Sequence, residues 1–408
     1  MDRRIYYRCK RGAFSTGRTG LHTLPKGRMF HPFRRQMLEN IHYIRIIHKV
    51  ISFILTPASK RKDPNLKMKT KNKLIWSQTR NVWGLFAMTI VFGMLMLPGN
   101  VTAKCVQTGT EVVCTGPYYS NSNLLNRENP GDNVEILTID GSEAPVTVTR
   151  NDLASGVSLL NDSSWGKTVT VNLKGDVTVV NTGPMINNVP GIKIVQEGNQ
   201  GGIFVNTSPL SSIKTADACL TCGNHGIYTF LGSDINPDDI GINAAGDIST
   251  VGPGAHGIYS VHNGTGNIDV TWGGNIDIAG ESSHGIFANH QGQGGIAIES
   301  TGAVETVGNA THGIYALISK SNNSADMAVT IDSGAIQTNG AEAHAVHLEH
   351  RGTGDRFVTV GEEAVVNAAG ENAHGLYIGN TGSGDNTLTI AGTVIGGNDS
   401  AYAIVTQT

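Results

Sequence analysis

Residues 224–408 contain almost no proline, no helical spacing of apolar residues and, between Lys214 and Lys320, no lysine or arginine at all. Each absence excludes something. Pro237 and Pro253 are the only prolines there, so few backbone donors are missing from a strand ladder. Without the 3.6-residue period there is no amphipathic helix to pack. Without a cation the stretch offers no basic residue to act as base or clamp on an acidic polysaccharide. The sequence also has no Gly-x-Ser-x-Gly elbow and no serine-protease signature, and its carboxylates are scattered rather than paired. We expect no catalytic residues, no cofactor and no metal.

What is present is one short stretch written repeatedly. It reads His-Gly-Ile-Tyr at His225, His256 and His312, and His-Gly-Ile-Phe at His284. It becomes His-Ala-Val-His at His344 and His-Gly-Leu-Tyr at His374, and Tyr402 holds the position in the last copy. The intervals are 31, 28, 28, 32, 30 and 28 residues, a period that marks a repeat architecture. Glycine recurs four residues before the histidine, at Gly252, Gly280, Gly308, Gly340 and Gly370. Between the glycines lie alternating runs such as Asn275-Ile276-Asp277-Ile278. Each repeat holds three such runs bounded by turn residues. The predicted fold is all-β: a right-handed parallel β-helix of about 28–32-residue, three-strand turns. Ile227, Ile258, Ile286, Ile314, Val346, Leu376 and Ile404 should form a core column, and the glycines should sit at corners of positive φ. The aromatic that follows the Ile (Tyr228, Tyr259, Phe287, Tyr315, Tyr377) should face outward.

The net charge of −3 conceals two unlike parts: residues 1–103 carry 20 Lys+Arg against 3 Asp+Glu, whereas the remainder carries 10 against 30. Val82–Leu97 is uncharged and apolar, follows Lys67, Lys69, Lys71, Lys73 and Arg80, and precedes Pro98 and the small-x-small Val101-Thr102-Ala103. This is the order of a secretory signal peptide cleaved between Ala103 and Lys104; an uncleaved signal anchor is the alternative. We divide the chain into a basic leader (1–67, upstream of a second candidate start at Met68), the signal peptide (68–103), an N-terminal cap with irregular first rungs (104–223) and regular repeats (224–408). An acidic exported body argues against nucleic acid as a partner.

Cys105 and Cys114 flank a Gly-Thr turn directly after the cleavage site, which suggests a disulfide-closed hairpin in an oxidising compartment. Cys219-Leu-Thr-Cys222 reads as a small local disulfide, since no second pair of zinc spacing exists.

Asn72-Lys73-Leu74-Ile75-Trp76 with Trp83 resembles the extended signal peptide of bacterial autotransporters, although Gly84-Leu85-Phe86-Ala87 replaces the usual continuation. The Cys-turn-Cys opening and the His-Gly-Ile-Tyr repeats are similar to those of adhesin-like autotransporter passengers. The resemblance covers roughly residues 104–408. It implies display at the outer membrane and adhesion to glycans or proteins of host or neighbouring cells. Such proteins end in a translocating β-barrel, whereas this sequence stops inside a rung. We therefore expect the translocator to be a separate partner or a missing part, and the last rung to favour self-association. Without a translocator the expected location is the periplasm or the medium. A carbohydrate-active β-helix enzyme is the alternative reading.

The histidine column itself admits three readings. Stacked imidazoles can hold a transition metal, act as a pH switch, or persist because duplication copied them.

Overall fold

The computed structural model describes residues 104–407 except 116–117, 121–125, 128–133, 142–146, 151–154, 162–165, 182–188 and 218–222. Residues 96–408 cluster as one compact unit; the other, Met1–Leu95, lies outside the described residues, as does the whole of the expected signal peptide. Three parallel sheets, of 11, 10 and 10 strands, run through the body. Each turn of chain contributes one strand to each sheet. The turn after His256 supplies Ile258–His262, Ile268–Trp272 and Asn275–Ala279. The next begins at Ile286–His290, in register with Ile258–His262. The solenoid expected from the repeat is what forms.

The alternation of apolar and polar residues decides which way each side chain points. In Ile268–Trp272 the burial alternates strictly, with Asp269 and Thr271 exposed. Stacking then turns sequence repeats into columns whose successive members stand about 4.8 Å apart. Ile227, Ile258, Ile286, Ile314, Val346 and Leu376 form the expected column and are all fully buried. Ile404 is 40% exposed. Trp272 is the largest fully buried side chain; Ala244 and Ser300, its neighbours in register, leave room for it.

The glycine expectation holds in part: Gly252 and Gly308 have φ of 132° and 148°, whereas Gly280, Gly340 and Gly370 do not lie at positive φ. A second left-handed corner lies two residues before the histidine, and glycine fills it only at Gly254; Ser282, Ala310, Glu342 and Asn372 occupy it elsewhere, with φ of 51° to 56°. Most glycines four before the histidine answer a different demand, close approach. A Cβ on Gly340 would lie 1.7 Å from the carbonyl oxygen of Gly308, and one on Gly370 1.8 Å from that of Gly340.

The second histidine column is a turn device. His262, His290 and His350 accept the N–H two residues on at Nδ1 and bond a carbonyl of the preceding rung at Nε2. Where Leu231 and Ile318 take that place, Asn236 and Asn323 fill the turn, each donating to two carbonyls of the rung before.

At the N-terminal end Lys104–Thr108 and Glu111–Thr115 form a hairpin, the one antiparallel pairing among the described strands. Cys105 and Cys114 face each other across it and are disulfide-bonded. Cys114 is fully buried, so the bond ties the hairpin to the core. The strands that follow, from Ile136–Asp140 onward, join the same three sheets.

Candidate functional site

The corner that carries the histidines is set from inside the solenoid. Thr215, Thr250, Thr306 and Thr338, all buried, donate their hydroxyls to the carbonyl of the residue just before the histidine. The backbone then presents its next N–H along the stack. The N–H of His256 donates to Nδ1 of His225 at 3.1 Å, that of His284 to His256 at 2.8 Å and that of His312 to His284 at 3.1 Å. His344, His374 and Tyr402 continue the series at 3.0 Å each. Six imidazoles thus form one directed ladder, with ring centroids 4.8–5.0 Å apart and planes within 18° of parallel.

This geometry selects a tautomer. An Nδ1 that accepts a hydrogen bond carries no proton, so the neutral ring holds its proton on Nε2. Protonating Nδ1 would set two donors against each other. Burial works in the same direction and pushes His225 and His344 down to about 3. His256, His284 and His312 also lie well below the ordinary value, first through burial and then through neighbouring imidazoles. His225, His256, His284, His312 and His344 are therefore neutral at neutral pH and do not switch near pH 6.5 while folded.

The aromatic column stands beside it. Tyr228, Tyr259, Phe287, Tyr315 and Tyr377 are half-buried rather than freely exposed. Tyr228 and Tyr259 stack at 5.3 Å and 2°, and Tyr259 lies 4.6 Å from His225. These rings pack as a side ladder, because the outward strand position lies next to the corner from which the histidines project. Burial raises the hydroxyls of Tyr228 and Tyr315 to about 12.

One rung differs. His347 takes the aromatic place, in register with Tyr315 and Tyr377. Its ring stands at 84° to that of His312, and its Nδ1 lies 3.1 Å from His312 Nε2.

The outer face of the first sheet is the more open surface. One of its columns is almost wholly uncharged and polar: Thr138, Asn172, Asn206, Asn243, Thr271, Glu299, Thr330, Thr359 and Thr389. Asn206 donates to Asn172, and Asn172 to Thr138. The adjacent column runs from Phe204, which is 40% exposed, through Gly241, Asp269, Ala297 and Ala328 to Phe357, 37% exposed. A depression of about 440 Å³ lies between the Phe rungs, floored by Ala297 and Ala328 and edged by Asp269, Glu299 and Asp332. Burial and Asp239 raise the Asp269 carboxyl above the usual range.

Of the remaining sequence-derived sites, Lys104 opens the first strand, while Ala103, Cys219 and Cys222 lie outside the described residues. Arg351 bonds Glu349 at 2.8 Å. Arg356 is fully buried in a core-facing column, where Met327 and Ile296 stand one and two rungs earlier. Sequence reading also missed an Asx ladder: Asp239, Asn267, Asp326 and Asp355 each accept the N–H of the equivalent residue in the next rung. Its signal, an Asp, Asn or Gly at one address in each repeat, was there to be read.

No family model, no curated protein and no solved structure matches this chain.

Proposed function

We propose that the chain is the passenger part of an autotransporter, exported by its signal peptide. Joined to a β-barrel translocator, it is displayed at the cell surface. There it adheres to glycans or proteins of host or neighbouring cells. The observation that carries the reading is the outer face of the first sheet. It presents a long row of amide and hydroxyl side chains beside two exposed phenylalanines. Such a face can hydrogen-bond and stack on an extended sugar chain without supplying any backbone group, since its own backbone is already paired within the sheet. The disulfide-tied hairpin supports an exported protein, because such bonds persist in oxidising compartments.

The alternative is a carbohydrate-active enzyme. It is favoured by the depression edged by Asp269, Glu299 and Asp332, where one carboxyl is already raised. Purified exported protein separates the two. Saturable coating of cells or immobilised glycans without release of reducing sugar supports adhesion. Release of reducing sugar that disappears in Asp269→Asn supports the enzyme. Neither binding nor turnover defeats both.

A further inference from the structure

We propose that His312, His344 and His347 form a binding site for one transition-metal ion of the zinc or copper class. A ring nitrogen from each of the three lies within 4.8 Å of the other two. His312 Nε2 and His347 Nδ1 are 3.1 Å apart and share a single proton. Two imidazole nitrogens bound to one tetrahedral ion at about 2.0–2.1 Å stand at nearly that separation. A metal ion can therefore take the place of the shared proton, and His344 Nε2 completes a set of three.

Orientation makes this rung different from the rest of the ladder. Between His225 and His344, successive rings of the main column lie within 16° of parallel. Lone pairs on parallel rings run side by side, so an ion is enclosed only where a third nitrogen faces them. His347 is turned 84° to His312 and 76° to His344, so its nitrogen faces theirs. Both half-buried ligands are held by stacking: His347 on Tyr315 at 4.5 Å, and His344 on Tyr377 at 4.8 Å. A donor set of imidazoles alone suits zinc or copper rather than calcium or magnesium.

The protons must balance. His312 and His344 now carry their proton on Nε2, because Nδ1 of each accepts a main-chain N–H. Ligation through Nε2 shifts that proton to Nδ1 of the same ring, with no net release. The N–H groups of His344 and His374 then lose their acceptors. The site is accordingly weaker than a three-histidine centre built without this ladder, and metal binding loosens two identifiable amides.

The test uses the full chain without a polyhistidine tag, titrated calorimetrically with zinc and with copper. We expect one saturable equivalent for the wild type. His347→Tyr, which restores the residue of the neighbouring rungs, should weaken it by roughly tenfold or more. His290→Gln should leave it unchanged, since both nitrogens of His290 already serve a turn. If the tyrosine variant does not fold, His347→Phe replaces it, following Phe287 in the same column. Hydrogen exchange at the amides of His344 and His374 should quicken on adding zinc. Absence of a single saturable equivalent, unchanged affinity in both His347 variants, or unaltered exchange at both amides would overturn the proposal.

Discussion

The main-chain N–H of His284 donates to Nδ1 of His256, one rung earlier, at 2.8 Å. This bond repeats along the column and makes each imidazole an acceptor for the following rung. The histidines are thus part of the solenoid's own hydrogen bonding, at a corner where no sheet ladder reaches.

Acid should destabilise the protein through these rings. The folded-state values lie below that of the unfolded chain, about 6.5, as at His225 with about 3. Between those values the unfolded state binds more protons, so stability is complete above pH 6.5 and falls as pH drops below it. Each buried imidazole still neutral in the fold contributes a loss of roughly 2 kcal/mol at pH 5. Denaturation midpoints should be level from pH 8 to 7 and should fall steeply from 6.5 to 5. A midpoint unchanged down to pH 5 would contradict the neutral ladder.

His284→Phe keeps a ring in the stack but removes the acceptor. The N–H of His312 is then left buried and unpaired, which should cost about 1–3 kcal/mol. Urea denaturation measures it. His284→Asn, whose Oδ1 can stand in for Nδ1, separates the lost bond from the lost ring.

Gly340→Ala should be severe. Its Cβ would meet the carbonyl oxygen of Gly308 at 1.7 Å, and two rungs would have to part, at a cost of about 3 kcal/mol or more. At Gly273 the nearest atom is the Thr301 hydroxyl at 3.5 Å, so Gly273→Ala should change stability by no more than about 0.5 kcal/mol. Equal melting temperatures for the two variants would refute close approach as the reason for the glycine repeat.

Ala310→Gly should stabilise. Ala310 sits at φ 51°, a conformation that costs an L-residue roughly 1–2 kcal/mol, part of which glycine gives back in unfolded-state entropy. A net gain of about 0.5–1 kcal/mol in calorimetric stability is expected.

Much of the fold was legible because a strand's alternation is local. The return of Ile258, Ile286 and Ile314 to one address needed only counting, and all three are fully buried. Cys105 and Cys114 flank so short a turn that few partners were possible, and they are joined. Positive φ accounts for Gly252 and Gly308 but not for Gly340, because φ at a corner is local, whereas the carbonyl that crowds Gly340 belongs to the rung before. The burial of Arg356 was not legible in the sequence. Its burial depends on which face of its strand looks inward, and Met327 in register shows that face to be the core.

The sequence by itself determined the period, the three strands per turn and the residues that share each column. Those follow from side-chain alternation and chain length. Only the tertiary structure decided the state of the columns: which nitrogen of His256 is occupied, how far Tyr259 is covered, and that His347 stands edge-on to His312. These depend on directions of lone pairs and ring planes between rungs some 30 residues apart. A repeat records which residues meet, and the backbone of the neighbouring rung sets the angle at which they do.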